Sequence, residues 1–191
     1  MTRHRRTGGR APTSPALLGA VLVAVALALA ACGGGTTSAT AGTTPLPAGP
    51  TPSKIATMVC GHEAVSQMNS ALGEDATVST PTWSAKTHVY SCTYGYPTGS
   101  FTLTVKELSS WPATKAYVAA LEASMGKSRD LYGLGQAAFQ ADDNAVVVRK
   151  DWKVLTVDVT GLPAQFGVPP TSSRAVAVTV ADVILGCWEG D

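Results

Sequence analysis

Charge of either sign is scarce in this sequence of 191 residues, and neither sign is in clear excess. Lys and Arg number 14 and Asp and Glu number 13, so only 14% of the residues are charged. With an isoelectric point near 7.7, the chain lacks the basic surplus typical of nucleic-acid binding, and we expect no nucleic-acid partner. A hydrophobic content of 45% instead predicts a folded domain.

The sequence also lacks an apolar run of the length that a membrane-spanning helix needs, which is about 20 residues. Its apolar run over residues 16–31 is shorter, and mean hydropathy is only +0.15, which argues against a polytopic membrane protein. All charges that precede this run are positive, as in the charged region of a secretory signal: Arg3, Arg5, Arg6 and Arg10. The sequence therefore predicts a cleaved signal peptide over residues 1–31.

The end of this segment, Leu29-Ala30-Ala31-Cys32, resembles the bacterial lipobox. The resemblance implies that the Cys32 thiol is acylated with diacylglycerol and that Cys32 becomes the first residue of the mature protein. Two acyl chains are enough for a stable anchor, whereas one chain gives only marginal binding. We therefore expect a lipoprotein at the outer face of the cell membrane. The alternative is an ordinary signal peptide followed by an unrelated cysteine.

The 21 residues after Cys32 carry no charge and almost nothing that a core would bury. They comprise 5 Gly, 4 Pro, 6 Thr and 2 Ser among a few apolar residues. This composition predicts a flexible linker, so we assign residues 32–53 to the lipidated cysteine and its tether. Residues 54–191 are long enough for one globular domain with its own hydrophobic core.

Apolar spacing predicts helices in three parts of this domain. Residues 60–72 carry an apolar residue at each helical turn and end before Gly73. Ser109 or Ser110 can cap a second helix, which has a proline in its first turn. Residues 175–185 fit either period, and we choose a helix because the segment exceeds ten residues without a turn signal.

Alternating residues predict the strands. Residues 87–96 place His88, Tyr90, Cys92, Tyr94 and Tyr96 on one face, and a turn then leads into a second alternating strand from Phe101, so that the two form a hairpin. Further strands are predicted over residues 137–140, 145–149 and 152–160. The order of elements predicts an α+β domain with a single antiparallel sheet of about five to six strands, packed on two to three helices in two layers.

Several short motifs resemble those of small actinobacterial cell-envelope lipoproteins of unknown function. They are a cysteine at the start of the first helix, Cys92-Thr93-Tyr94 on a strand, a Gly-Leu-Gly-x-Ala-Ala turn over residues 133–138, and a Val-Val-Val-Arg-Lys hairpin that returns as Val-Leu-Thr-Val. The resemblance implies a location and a fold, and it brings no catalytic residue.

Three cysteines follow Cys32, and an exported domain favours a disulfide between two of them. The resemblance implies that Cys60 pairs with Cys92, while pairing of Cys60 with Cys187 stays open. A further alternative is a zinc site, because two histidines accompany the first two cysteines as Cys60-x-His62 and His88-x₃-Cys92. The spacing is unusual for zinc and secretion favours thiol oxidation, so we expect no metal and no other cofactor.

The sequence holds no His-Glu-x-x-His helix and no Gly-x-Ser-x-Gly turn. We therefore predict a non-enzymatic binding or accessory module, with an envelope protein or a small ligand as its partner. The alternative is an enzyme acting on the cell wall or on lipids, with a site around His62, Glu63 and His88. Tyr90, Tyr94 and Trp111 either pack the sheet against the helices or line a shallow groove for a sugar or a lipid.

Overall fold

Strands and helices contribute almost equally to the secondary structure in the computed structural model, which describes residues 45–188. The strands of the main sheet are β1 (Thr77–Val78), β2 (Thr82–Ser84), β3 (Val89–Tyr96), β4 (Gly99–Glu107), β5 (Ser128–Leu131), β6 (Ala137–Ala141), β7 (Val146–Lys150) and β8 (Lys153–Asp158). A separate pair consists of β9 (Gln165–Phe166) and β10 (Thr171–Ser172). The helices are α1 (Lys54–Met58), α2 (His62–Leu72), α3 (Trp111–Ser124) and α4 (Ser173–Cys187).

The main sheet is antiparallel and has the strand order β1-β3-β4-β8-β7-β6-β5, with β2 also paired to β3. The α+β class and the antiparallel sheet are confirmed. The predicted strand count of five to six is too low, because the sheet has eight strands. The additional strands are β1, β2 and β5, which have two to four residues each and are too short to show an alternating pattern.

The helices lie on both faces of the sheet, so the predicted two-layer arrangement is wrong. The main core joins one face of the sheet to α1, α2 and α4. On the other face, Phe139, Val147 and Val154 form a second cluster that α3 covers. The cause is the run of β7 from Val146 to Val148, in which every residue is buried, so both faces of that strand need a cover.

The predicted hairpin is confirmed as β3 and β4. Alternate residues of β3 point into the main core, with Cys92 3% exposed and Tyr94 fully buried. His88 is an exception to the predicted face. It lies in the turn before β3 with φ of 51°, so it does not share the strand face of the tyrosines.

The helix ends also follow the sequence pattern. Ser110 accepts a hydrogen bond from the main chain of Ala113 at the start of α3. The last segment is a helix, as predicted, and Ser172 caps it in the same way. Gly73 ends α2 with φ of 67°, a conformation that suits glycine. Among residues 45–188, no helix combines the length and the apolarity required to cross a bilayer.

The disulfide joins Cys60 to Cys92, with 6.1 Å between the two Cα atoms, as the family resemblance implied. It ties the segment between α1 and α2 to the centre of β3. The pairing of Cys60 with Cys187 is therefore wrong. Cys187 is buried in α4, and its thiol donates a hydrogen bond of 2.9 Å to Gln67 Oε1 on α2.

Residues 45–53, hereafter the strap, lie against the domain. The main-chain nitrogen of Ala48 donates to the carbonyl oxygen of Leu108 at 3.1 Å, and the main-chain nitrogen of Ser53 donates to Glu107 at 3.0 Å. Trp83 Nε1 donates to the carbonyl oxygen of Pro50 at 3.0 Å. The end of the predicted linker, from Ala48 to Ser53, is thus hydrogen-bonded to the domain. The predicted signal peptide, Cys32 and the predicted linker residues 33–44 lie outside the described residues.

Candidate functional site

The histidines that we considered for catalysis lie in different parts of the fold. His62 and Glu63 are exposed in the first turn of α2. The Nδ1 atom of His88 lies 3.0 Å from the carbonyl oxygen of Gly49, so its ring faces the strap. The zinc alternative is wrong, because a zinc site would need the thiols of Cys60 and Cys92 and these two cysteines form the disulfide.

The aromatic residues predicted to line a groove do not share a surface. Tyr90 is 8% exposed and Tyr94 is fully buried, both in the core beneath α1, α2 and α4. Tyr94 stacks on Phe101 with 4.8 Å between the ring centroids. Trp111 is 39% exposed and begins α3 on the opposite face of the sheet. The groove of Tyr90, Tyr94 and Trp111 is therefore wrong, because the alternation that aligns Tyr90 with Tyr94 also directs both into the core.

A cleft of about 500 Å³ lies between the loop that precedes β6 and the last turns of α4. Its lining combines glycines with charged and amide side chains: Gly133, Gly135, Gln136, Lys150, Asp182, Leu185 and Gly186. A second cleft of about 330 Å³ shares the same loop and is lined by residues 130–138. Residues 132–136, hereafter the glycine loop, thus form a wall between two concave surfaces. His62, Glu63 and His88 line neither of them.

The glycine loop takes its shape from two left-handed residues. Gly133 has φ of 85° and Gly135 has φ of 56°. A Cβ atom at Gly135 would lie 2.6 Å from the carbonyl oxygen of Arg149 and 2.7 Å from Val148 Cγ1, whereas a Cβ atom at Gly133 would meet nothing within 4 Å. Gly135 therefore allows the loop to approach β7, and Gly133 leaves an open main-chain surface at the cleft.

Hydrogen bonds hold the loop against the β7–β8 turn. The main-chain nitrogen of Gln136 donates to the carbonyl oxygen of Arg149 at 2.8 Å, and Gln136 Oε1 accepts from the main-chain nitrogen of Asp151 at 2.8 Å. Arg149 Nη2 donates back to the carbonyl oxygen of Gln136 at 3.3 Å. The guanidinium of Arg149 lies 4.2 Å from the ring centroid of Trp111. This bracing orders one wall of the cleft before any ligand binds.

Two side chains of opposite charge line the cleft. Lys150, the last residue of β7, donates a hydrogen bond to the carbonyl oxygen of Trp188 at the end of α4. An ammonium group has three donors, so this bond leaves donors for a ligand. Asp182 is an exposed residue of α4 and presents an acceptor from the helix side. The cleft can therefore pair with one negative group and one positive group of a small ligand.

None of the sequence patterns described above predicts this cleft. The Gly-Leu-Gly turn was visible as a break in the pattern, and it was the one available signal. Lys150 belongs to a strand and Asp182 to a helix, and only the packing of α4 beside β7 places them at one cleft. Among the described residues, no cluster of three or more His, Cys, Asp or Glu side chains is arranged to hold a metal ion.

No protein-family model, curated protein or solved structure matches this chain. The geometry of the site therefore carries the functional argument without support from a relative.

Proposed function

We propose that this protein is a cell-envelope lipoprotein, held at the outer face of the cell membrane by an acylated Cys32, and that its domain acts by binding. The charged n-region, the apolar run and the Leu-Ala-Ala-Cys sequence support the anchor. The cleft beside the glycine loop supports the binding role. The observation that carries the proposal is that Lys150 and Asp182 line one braced cleft together with three glycines.

The ligand that fits this cleft is a small polar molecule with an anionic and a cationic group, such as a dipeptide with free termini. Lys150 pairs with the anionic group and Asp182 with the cationic group, while the exposed main chain at Gly133 offers further hydrogen bonds. Charge-assisted hydrogen bonds of this kind are about twice as strong as neutral ones. A ligand that carries both charges is thereby preferred over a neutral molecule of the same size.

Titration of the protein with alanylalanine, followed by NMR, tests the binding role. We expect the amide signals of Gly133, Gly135 and Gly186 to shift, and we expect no shifts with the cyclic dipeptide, which has neither charge. Lys150→Gln and Asp182→Asn should each weaken binding. Lys115→Gln and Asp142→Asn are matched controls, because both residues are exposed and neither lines the cleft. If alanylalanine shifted the amide signals by the same amount in all four variants, the proposal would be contradicted.

Fractionation of cells tests the anchor. The wild type should be recovered with the membrane, and Cys32→Ala should be released from it or retained unprocessed. Mass analysis of the N-terminal peptide should show the diacylglyceryl group on Cys32. Complete processing and membrane retention of Cys32→Ala would contradict the anchor.

A further inference from the structure

Large exposed apolar side chains are concentrated at one end of the sheet. Among the described residues, four are exposed: Leu46 at 64%, Trp111 at 39%, Tyr132 at 91% and Val168 at 62%. Leu46 belongs to the strap, Trp111 follows the end of β4, and Tyr132 follows the end of β5. The ends of β4, β5 and β7 and the starts of β3, β6 and β8 all lie at this same end, because the strands are antiparallel. We call it the strap end. Val168 alone lies at the opposite end, beside α2's last residue.

All four tryptophans of the chain also lie at the strap end. Trp83 donates to the strap, Trp152 occupies the β7–β8 turn, and the carbonyl of Trp188 accepts from Lys150 at the end of β7. Trp188 is buried, Trp83 and Trp152 are half-buried, and Trp111 is exposed. Tryptophan and tyrosine are the residues enriched at the boundary between water and the apolar part of a bilayer.

Lysines surround the strap where it meets the sheet. Lys54 directly follows the strap and is exposed, and Lys86 is exposed in the turn before β3. Lys106 donates to the carbonyl oxygen of Thr87 in that turn. The acidic residue in this corner, Glu107, is 3% exposed and accepts hydrogen bonds from Ser53. We define Leu46, Lys54, Trp83, Lys86, Lys106 and Trp111 as the strap corner, which presents lysines and apolar side chains to a partner.

The connection of the strap to Cys32 along the chain indicates that the membrane is the partner of the strap corner. The acylated Cys32 of the proposed function leads into the strap after the 12 residues 33–44. Twelve residues span at most about 43 Å even when fully extended, so the strap begins within that distance of the anchor. The strap corner is thus held near the membrane by the chain itself. From β3 to β5 the strap end extends across six strands, or about 24 Å, which is wide enough to rest on a lipid surface.

We propose that the strap corner docks on the anionic phospholipid surface of the membrane to which Cys32 is anchored. This inference rests on the proposed lipid anchor. The lysines pair with headgroup phosphates, and Leu46 and Trp111 enter the headgroup region. Each lysine near an anionic surface contributes roughly five-fold to partitioning. Docking fixes the orientation of the domain relative to the membrane, which the lipid anchor on Cys32 does not do by itself.

The test uses the full acylated protein in phosphatidylcholine vesicles with and without phosphatidylglycerol, with acyl chains that are brominated or unlabelled. Bromine quenches tryptophan emission at short range. We expect quenching in the vesicles that contain phosphatidylglycerol and a loss of quenching at high salt. The triple variant Leu46→Ser/Lys54→Glu/Lys86→Glu should lose the quenching. The control Lys127→Glu/Val168→Ser, which changes exposed residues at the opposite end, should retain it.

The outcomes separate this inference from the anchor. A protein that carries the diacylglyceryl group and shows no quenching in either vesicle overturns the docking and leaves the anchor intact. A mature protein without that group overturns the anchor, and the docking with it. If the triple variant and the control lose the same amount of tryptophan quenching, the quenching arises at another surface, and the docking is overturned. Self-association that the triple variant abolishes assigns the strap corner to a second copy and also overturns it.

Discussion

The phenol hydroxyl of Tyr94 donates a hydrogen bond of 2.7 Å to the carbonyl oxygen of Val59. Val59 directly precedes Cys60, and Cys60 is bonded to Cys92, two residues before Tyr94 on β3. The end of α1 is therefore tied to β3 by a covalent bond and by a buried hydrogen bond at adjacent positions. In the chain-entropy model, a disulfide that closes a loop of this size stabilises the fold by roughly 3 to 4 kcal/mol.

Tyr94→Phe removes the hydroxyl and keeps the ring. We expect the free energy of unfolding to fall by about 1 to 3 kcal/mol, because a buried carbonyl loses its donor. Urea unfolding followed by circular dichroism measures the change. Tyr132→Phe is the control, because Tyr132 is 91% exposed and should change stability by less than about 0.5 kcal/mol. Indistinguishable effects of the two substitutions would contradict a stabilising role for the Tyr94 hydrogen bond.

Stability should fall at alkaline pH. Burial raises the pKa of Tyr94 above its ordinary value near 10, and burial together with Glu74 raises the pKa of Tyr96. The unfolded chain therefore releases these protons at lower pH than the folded protein does. The contribution of the two protonated tyrosines to the free energy of unfolding is fully present below about pH 10, the ordinary pKa of tyrosine. This contribution is lost as the pH rises above that value. Urea midpoints between about pH 8 and pH 11 should fall less steeply in Tyr94→Phe/Tyr96→Phe than in the wild type.

The two glycines of the glycine loop should differ in their response to alanine. Gly133→Ala requires only a left-handed alanine and should cost about 1 kcal/mol. Gly135→Ala places its Cβ atom against Arg149 and Val148 and should cost more than about 2 kcal/mol. Thermal unfolding of the matched pair measures both. Equal costs would show that the loop does not approach β7 as closely as described.

Ser53→Ala tests whether the strap is part of the folded domain. The Ser53 side chain accepts a hydrogen bond of 3.2 Å from the main chain of Ala56 and also donates to the buried carboxylate of Glu107. Its loss should cost about 1 to 2 kcal/mol. Ser66→Ala, at an exposed position in α2, is the control and should change stability little. If Ser53→Ala left the free energy of unfolding unchanged, residues 45–53 would belong to the predicted linker and not to the folded domain.

The elements with strong periodicity were predictable from the sequence. The β3–β4 hairpin alternates over its whole length, and α4 was distinguished from a strand by its length and by the absence of a turn signal within it. Local rules of spacing are enough to predict the secondary structure of such segments, because the apolar pattern lies within the segment itself. The pairing of Cys60 with Cys92 came from the family resemblance, since spacing alone left the pairing with Cys187 open.

The layers and the cleft required tertiary information. Alternation assigns Tyr94 to a face of β3, but it does not say that helices cover that face. The position of α3 follows from β7, whose valines are buried on both sides. Lys150 and Asp182 have no local signature, because an exposed charge on a helix or at a strand end usually contacts only water. Their meeting depends on how α4 packs beside the sheet.

The position of β8 between β4 and β7 has a consequence for how the chain folds. Leu103 of β4 pairs with Val157 of β8, so α3 and three further strands are synthesised between the two partners. The β3–β4 hairpin therefore has an open edge until residues 153–158 have emerged, and contacts of such long sequence separation form slowly. Unpaired edges invite association with other chains. We expect the Cys60–Cys92 bond to hold the early hairpin against α1 and α2 during this interval, and the insertion of β8 to be the step that completes the sheet.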